Sequence, residues 1–259
     1  MPYTIAVAGK GGTGKTTLSA LITAHLLKSG KAPVLAVDAD PNANLNEAMG
    51  VDYDTTVVET VDEIMGNSAA VPAGVAKSQL VEYQVHDALV ESRGFDLLVM
   101  GHTEGPGCYC YANDLLKGFL EKLSSSYAYV VMDNEAGMEH LSRRTTRNVD
   151  VLLIVANASI TALRSAARIH EITRKLKLGI RASYLILNRL NPVAHAVGNG
   201  SALASQLAEM EESGLPFIGD LPYDEQVVAH SMEAKGVLDL SEDSAIQIAV
   251  GKIMEKLGI

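Results

Sequence analysis

Gly9-Lys-Gly-Gly-Thr-Gly-Lys-Thr-Thr17 narrows the folding choices of this chain more than any other stretch of comparable length. It follows an apolar run, Thr4–Ala8, and opens a helical pattern, Thr16–Lys28. Gly9, Gly14, Lys15 and Thr16 satisfy G-x-x-x-x-G-K-[ST] in the strand–loop–helix setting that this motif requires. The chemistry behind the spacing is specific. Gly9, Gly11, Gly12 and Gly14 let the backbone N–H groups between Lys10 and Thr17, that of Thr13 included, converge on a polyphosphate without Cβ clashes. The helix N-terminus adds the positive end of its dipole. Lys15 neutralises β- and γ-phosphate charge, and the Thr16 hydroxyl can ligate Mg²⁺. A ligand-free glycine turn is the alternative, and the Lys-Thr pair in register argues against it.

A strand feeding a helix in this way asks for a parallel sheet, and the rest of the chain repeats the unit. Apolar runs at Val34–Val37, Phe95–Met100, Tyr127–Met132, Val151–Val155, Ser183–Leu187 and Phe217–Ile218 alternate with helical segments such as Asn44–Met49, Ile160–Lys175 and Ser201–Glu212. Continuous apolar strands separated by helices are what a sheet covered on both faces requires. The expected fold is α/β: one P-loop NTPase domain over residues 1–259, its mostly parallel sheet covered by helices on both faces. Residues 55–92 are the least legible part, and Leu80–Val90 fits a strand or a helix about equally. Asn191–Gly200 reads as a polar surface loop.

Composition removes some functions. A net charge of −10 argues against a general nucleic-acid binder, which needs a basic surface to release phosphate counterions. No run of 18 apolar residues occurs, and the N-terminus passes straight into a strand pattern without a signal-peptide core. The expectation is a cytoplasmic protein without nucleic-acid or membrane partners. Its two cysteines then point to thiol or metal chemistry rather than a disulfide scaffold. The amphipathic segment Ala245–Leu257 lacks a strong basic face, so docking on the sheet is expected of it rather than membrane binding.

Lys10 carries a further signal, since it cannot reach the loop's own phosphates as well as Lys15 does. K-G-G-T-G-K-T-T resembles the deviant P-loop of the family that includes MinD, ParA and the nitrogenase iron protein. The resemblance implies a homodimer sandwiching two ATP molecules, with Lys10 reaching the partner's nucleotide and acting with Lys15 and Asp40 in hydrolysis to ADP. Val37-Asp-Ala-Asp-Pro-Asn-Ala-Asn44 looks like the family's first switch: Asp40 would orient the attacking water, and Asp38 would lie near Mg²⁺. Turn chemistry is the other reading of these carboxylates, because Asp-Pro commonly starts a turn. Val130-Val-Met-Asp-Asn-Glu-Ala-Gly137 implies a water-mediated Mg²⁺ role for Asp133 and a γ-phosphate contact for the Gly137 N–H. Asn134 and Glu135 depart from the D-T-P-A-G often found there. In relatives the residue matching Asn188, within Leu185-Ile-Leu-Asn-Arg189, hydrogen-bonds adenine. Arg189 and the Leu221-Pro222 pair of L-P-Y-D-E are expected beside the base.

Both cysteines fall in Gly107-Cys-Tyr-Cys-Tyr111, between a strand pattern and a helical one beginning near Tyr111. A thiol at a helix start is biased toward the thiolate that binds soft or borderline metals. Cys108 and Cys110 are half of a tetrahedral set. Two copies meeting about a two-fold axis would supply four thiolates. Small buried hydrophobes are the alternative reading of the pair. Met100–Asn113 and Asp133–Arg143 are similar to the CooC-type nickel-insertion ATPases of carbon monoxide dehydrogenase maturation. That resemblance implies delivery of Ni²⁺ to an apo carbon monoxide dehydrogenase, or to the related acetyl-CoA synthase, gated by ATP-driven dimerisation. Zn²⁺ is compatible with the same ligands. An iron–sulfur carrier is a competing reading, although those usually use C-x-x-C or distant single cysteines. A ParA- or MinD-type positioning ATPase is another, and it needs a basic patch or a membrane tail. His102 reads as a surface or hydrogen-bonded group rather than a further donor, His140 as part of a coupling helix after the second switch, and Glu104 as either a client contact or a solvated side chain.

Overall fold

Ile5 and Val7 turn to one face of the first strand and Ala6 and Ala8 to the other, and all four are fully buried. A strand this apolar on both sides can only be interior, and the fold is built around it. The computed structural model describes residues 1–66, 77–101, 118, 120–135, 148–176, 178–190 and 202–259.

Its elements run β1 (Tyr3–Gly9), α1 (Lys15–Lys28), β2 (Val34–Ala39), α2 (Leu45–Met49), α3 (Val57–Gly66), α4 (Lys77–Asp87), β3 (Val90–Glu91) and β4 (Phe95–Val99). There follow β5 (Tyr129–Asn134), β6 (Val149–Asn157), α5 (Ile160–Lys175), β7 (Ile180–Leu190), α6 (Ala202–Glu212), β8 (Phe217–Pro222), α7 (Glu225–Met232) and α8 (Ala245–Lys256). The strands form one eight-stranded sheet in the order β3-β4-β2-β5-β1-β6-β7-β8, parallel except for the β3–β4 edge pair. The α/β expectation with a mostly parallel sheet is met.

Two cores fill the two faces. On one, Ile5, Val7, Leu21, Ala36, Leu153 and Ile186 pack with α1, α2 and α8. On the other, Ala6, Ala8, Val37, Met132, Ile154 and Leu187 pack with α3, α4, α5 and α6. The segment Leu80–Val90, equally compatible with helix or strand, divides. Val81, Val85 and Ala88 are buried at helical spacing in and just after α4, and only Val90–Glu91 joins the sheet. The C-terminal amphipathic segment docks as expected: Ile246, Val250, Ile253 and Met254 of α8 are buried in the sheet's core. Among the described residues no helix is long and apolar enough to cross a membrane. The loop Asn191–Gly200 lies outside the described residues.

The register brings polar residues together at one end. Asp133 is paired with Val7 on one side and Asp38 on the other, while Gly9 pairs with Val155 and Asn157 with Asn188. All lie at or near the carboxyl ends of parallel strands. The chain's direction of travel reverses between β1 and β6, and α/β proteins place their ligands at such a point.

Candidate functional site

The loop between β1 and α1 closes on itself. Thr13 donates to the Lys10 carbonyl through both its hydroxyl, at 2.8 Å, and its N–H, at 3.3 Å. Two glycines are required by their surroundings. A Cβ on Gly9 would sit 2.5 Å from the Val155 carbonyl oxygen of β6. At Gly14, with φ of 92°, it would sit 2.2 Å from Asn188 Nδ2. Gly14 caps α1 without a side-chain bond, so the helix's first N–H groups are left for a ligand. Lys15 is buried under the loop, Thr16 and Thr17 are half-buried, and Lys10, Gly11 and Gly12 are exposed.

Beneath the loop lie two buried carboxyls. Asp38 and Asp133, both fully inaccessible, occupy paired positions on adjacent strands. Burial above all pushes the Asp38 carboxyl up to about 6, against hydrogen bonds that favour its charge. Those bonds come from the Leu45 N–H at 2.8 Å and the Asp40 N–H at 3.1 Å. Asp38 thus anchors the first residue of α2 to the strand that precedes it. Asp133 is pushed up to about 7, again mainly by burial, with the Asp38 and Asp40 charges adding to it; the Thr16 hydroxyl and the Lys15 ammonium oppose the rise.

Ser19, one turn beyond Lys15, donates to Asp133 Oδ1 at 3.4 Å. Asp133 Oδ2 makes no hydrogen bond of normal geometry among the described residues. A buried carboxylate oxygen short of donors, with the Thr16 hydroxyl near and a phosphate-binding loop above, fits Mg²⁺ and its water shell. Thr16 and Asp133 are the residues that could hold the ion.

Asp40 sits above this pair, half-exposed. Its Oδ1 accepts from the Asn42 N–H at 3.0 Å and Asn42 Nδ2 at 2.8 Å. The turn reading of Asp40-Pro41 is therefore real, and it fixes a carboxylate at the mouth of the site. The departure at Asn134 also has a structural role: its Nδ2 donates to the Val7 carbonyl at 2.9 Å, tying β5 to β1 under the loop.

A cavity of about 700 Å³ opens beside the loop. Gly12, Gly14, Lys15, Thr16 and Thr17 form one wall, Asn44 to Asp52 another, and Arg189 with α7 and Lys235 the third. Asn188 stands behind it. Its Nδ2 donates to the Thr13 carbonyl at 2.7 Å, and its Oδ1 accepts from the Arg189 N–H at 2.8 Å. The residue expected beside adenine is thus also a brace for the phosphate loop.

Leu221 and Pro222 do not line this cavity: Leu221 is buried in the sheet's core, and Pro222 pairs with Leu190 of β7. The same motif contributes differently, through Asp224. Its Oδ1 accepts from Gln226 N in the first turn of α7 at 2.9 Å, and its Oδ2 from Ile246 N in the first turn of α8 at 3.2 Å. Ser19, Asp52, Ser231, Lys235 and Asp224 are functional or bracing residues whose roles no motif singles out. Ser19 follows Lys15 by four residues on one helix face, a spacing visible in the sequence; Asp52, Ser231 and Lys235 reach the cleft only through tertiary packing.

Cys108, Cys110 and Gly137 lie outside the described residues, as do His102, Glu104 and His140. Among the described residues no group of three or more His, Cys, Asp or Glu side chains could hold a metal ion.

Comparison with known proteins agrees with this geometry. The family model of the CobQ/CobB/MinD/ParA nucleotide binding domain matches residues 4–237. An ATP-binding protein of Methanocaldococcus jannaschii is 36% identical over 255 residues, spanning 98% of this chain and 97% of that protein. The carbon monoxide dehydrogenase accessory protein CooC of Rhodospirillum rubrum is 31% identical over 248 residues, covering 92% of this chain and 90% of CooC. The septum site-determining protein MinD of Bacillus subtilis is 26% identical, covering 88% of this chain and 78% of that one. Among solved structures, the MinD cell division protein of Aquifex aeolicus superposes with a TM-score of 0.70 at 23% identity, covering 99% of this chain and 96% of that one.

Proposed function

Since the chain belongs to the CobQ/CobB/MinD/ParA family of nucleotide-binding ATPases, we propose that its ATP cycle loads and delivers nickel for the metal cluster of carbon monoxide dehydrogenase, or of the related acetyl-CoA synthase. One observation carries this reading. The C-x-C pair Cys108 and Cys110 stands on a chain that is 31% identical to CooC over nearly its whole length.

In the proposed cycle the backbone of Gly9–Thr17 cradles the phosphates of ATP. Lys15 compensates their charge from below, and Thr16 with Asp133 holds Mg²⁺, which when bound screens the β- and γ-phosphate oxygens. Asp40, fixed by Asn42, orients the water that attacks the γ-phosphate, and Gly137 contacts that phosphate. Asn188 and Arg189 set the base end of the site. Lys10, exposed on the loop, reaches a second copy's nucleotide, so ATP favours the homodimer. Cys108 and Cys110 of each copy then complete a four-thiolate site for Ni²⁺, the cargo, with Zn²⁺ as a competitor. Hydrolysis to ADP separates the pairs and lowers metal affinity, because the full coordination energy belongs to the dimer state alone. The client apo-enzyme receives the ion in that interval.

Nickel titration with and without ATP tests this. Uptake near one ion per dimer is expected, lost in the Cys108→Ala, Cys110→Ala double variant while ATP still binds. Unchanged uptake in that variant removes the thiolate site.

The likeness to MinD favours a second reading, in which the ATPase positions a partner at a surface. The burial of the apolar face of α8 speaks against its use as a membrane tail. Co-sedimentation with anionic liposomes or DNA in the presence of ATP, together with nickel-independent turnover, would favour positioning over delivery. A stable charge-transfer band after anaerobic iron–sulfur reconstitution would favour a cluster carrier instead.

A further inference from the structure

At the end of the sheet opposite the nucleotide cleft, β7 starts before its neighbour. Ile180 already pairs with Val149 of β6, but the first partner on the β8 side is Phe217, opposite Leu185. Leu185 donates to the Pro216 carbonyl at 2.9 Å. Along a parallel strand, alternate residues direct both backbone groups to the same neighbour, so Ser183 and Arg181 face the way Leu185 does. Among the described residues no strand pairs with them on that side.

This open edge borders a cavity of about 850 Å³, closed by the last turns of α5 and by the Glu212–Pro216 turn after α6. His170 of α5 lines it. The residue is 7% exposed, and neither Nδ1 nor Nε2 makes a hydrogen bond of normal geometry among the described residues, the Ser213 carbonyl being close enough only to favour the charged ring. Gly214 turns the chain beside the ring with φ of 90°. A buried imidazole paired this poorly is costly unless something supplies better bonds.

Among the described residues, the charged side chains lining the cavity are Arg174, Arg181 and Glu212, in a chain of net charge −10. Arg174 donates to the Ser213 carbonyl at 3.3 Å, and Arg181 pairs with Asp150 at 2.6 Å while its side chain stays 77% exposed. Both keep further N–H donors to offer. Glu212 on the turn is the opposing charge.

We propose that this notch receives a short, extended, acidic segment of a partner protein, added to the sheet beside Arg181–Ser183. The segment's main chain pairs with the N–H and C=O groups of those two residues, which no described strand takes up on that side. One of its carboxylates lies between Arg174 and Arg181, and His170 takes a hydrogen bond from, or gives one to, its backbone. The open edge from Ile180 to Ser183 measures roughly 13 Å at about 3.3 Å per residue, room for three to five residues of a strand. The site is separate from the nucleotide cleft and from the metal reading of the cysteines, so it stands or falls apart from both.

The test uses the full chain and two fluorescein-labelled peptides, acetyl-Val-Asp-Val-Glu-Val-amide and acetyl-Val-Lys-Val-Lys-Val-amide, read by anisotropy. The acidic peptide is expected to saturate below about 1 mM and the basic one not to. Ser183→Pro removes the edge N–H, and Arg174→Glu reverses the local charge. Each should weaken the acidic peptide about tenfold or more while ATP affinity stays at the wild-type value. Should Ser183→Pro not fold, Arg174→Glu with its Arg174→Lys control decides alone. Absent saturation, equal binding of the two peptides, indifference to both substitutions, or full competition by free acetate at the peptide's own affinity, which would make the site one for a small anion, each overturns the proposal.

Discussion

Asp38 and Asp133 show how one residue type can serve two ends. Each is fully buried, and each carries a carboxyl raised mainly by that burial, to about 6 and about 7. The unfolded chain's carboxyls titrate near 3.9. Between that value and the folded ones the folded protein holds protons that the unfolded chain has lost. Their contribution to stability is therefore complete below about 3.9 and disappears as pH rises through about 6 for Asp38 and about 7 for Asp133. The nucleotide-free protein should lose thermal stability from this source as pH rises from acid to neutral. In Asp133→Asn the upper part of that slope flattens, and the variant melts higher than wild type at pH 8, by roughly 2–4 °C for each kcal/mol relieved. Mg²⁺ and ATP should raise the wild-type melting temperature at pH 8 and leave that of the variant nearly unmoved. Melting curves over this pH range, with and without Mg·ATP, check both statements.

Gly14 and Asn188 give a second test at the same scale. A Cβ at 2.2 Å from Asn188 Nδ2 must push that amide off the Thr13 carbonyl. Gly14→Ala should weaken ATP about tenfold or more, and Asn188→Ala, which frees the space, should recover part of that loss, the remainder being the strain of an alanine at φ 92°. A double-mutant cycle on ATP affinity reads the coupling, and simple additivity would show that the two residues do not act together.

At the scale of elements, most of the fold was legible because its strands are buried on both sides and read as unbroken apolar runs. The boundaries were less so. Apolar runs mark β5, β6 and β7 as far as Met132, Val155 and Leu187, whereas the strands continue to Asn134, Asn157 and Leu190. Asp133, Asn134 and Asn188 lie in those extensions, where apolar patterning is blind and only a motif finds them. The phosphate loop was legible because its glycines, lysine and threonine are adjacent in the chain. The far wall of the cleft was not, since Asp52, Ser231 and Lys235 come from elements far apart in sequence.

Asp224 belongs to this scale as well, because one side chain accepts from the first turns of both α7 and α8. Asp224→Ala should cost about 1–2 kcal/mol of stability, in the range of a lost helix cap. Asp224→Asn, which keeps an acceptor, should lose less. Urea unfolding midpoints of the three proteins give the comparison.

For the whole molecule, the nucleotide cleft is built within one chain from the carboxyl ends of its strands, whereas the proposed metal site needs two. Lys10 stands exposed on the loop, where a second copy's nucleotide would meet it. Lys10→Ala should therefore leave ATP binding by the monomer nearly intact while abolishing ATP-dependent dimerisation and most of the turnover. The decisive measurement is light scattering with bound nickel counted in the same samples, across four conditions: no ligand, ATP, nickel, and both. The proposed cycle predicts a dimer holding about one ion when both ligands are present, and a weaker hold on the ion after ATP has been replaced by ADP. A monomer that binds nickel stoichiometrically and with the same affinity whether or not ATP is present would contradict it.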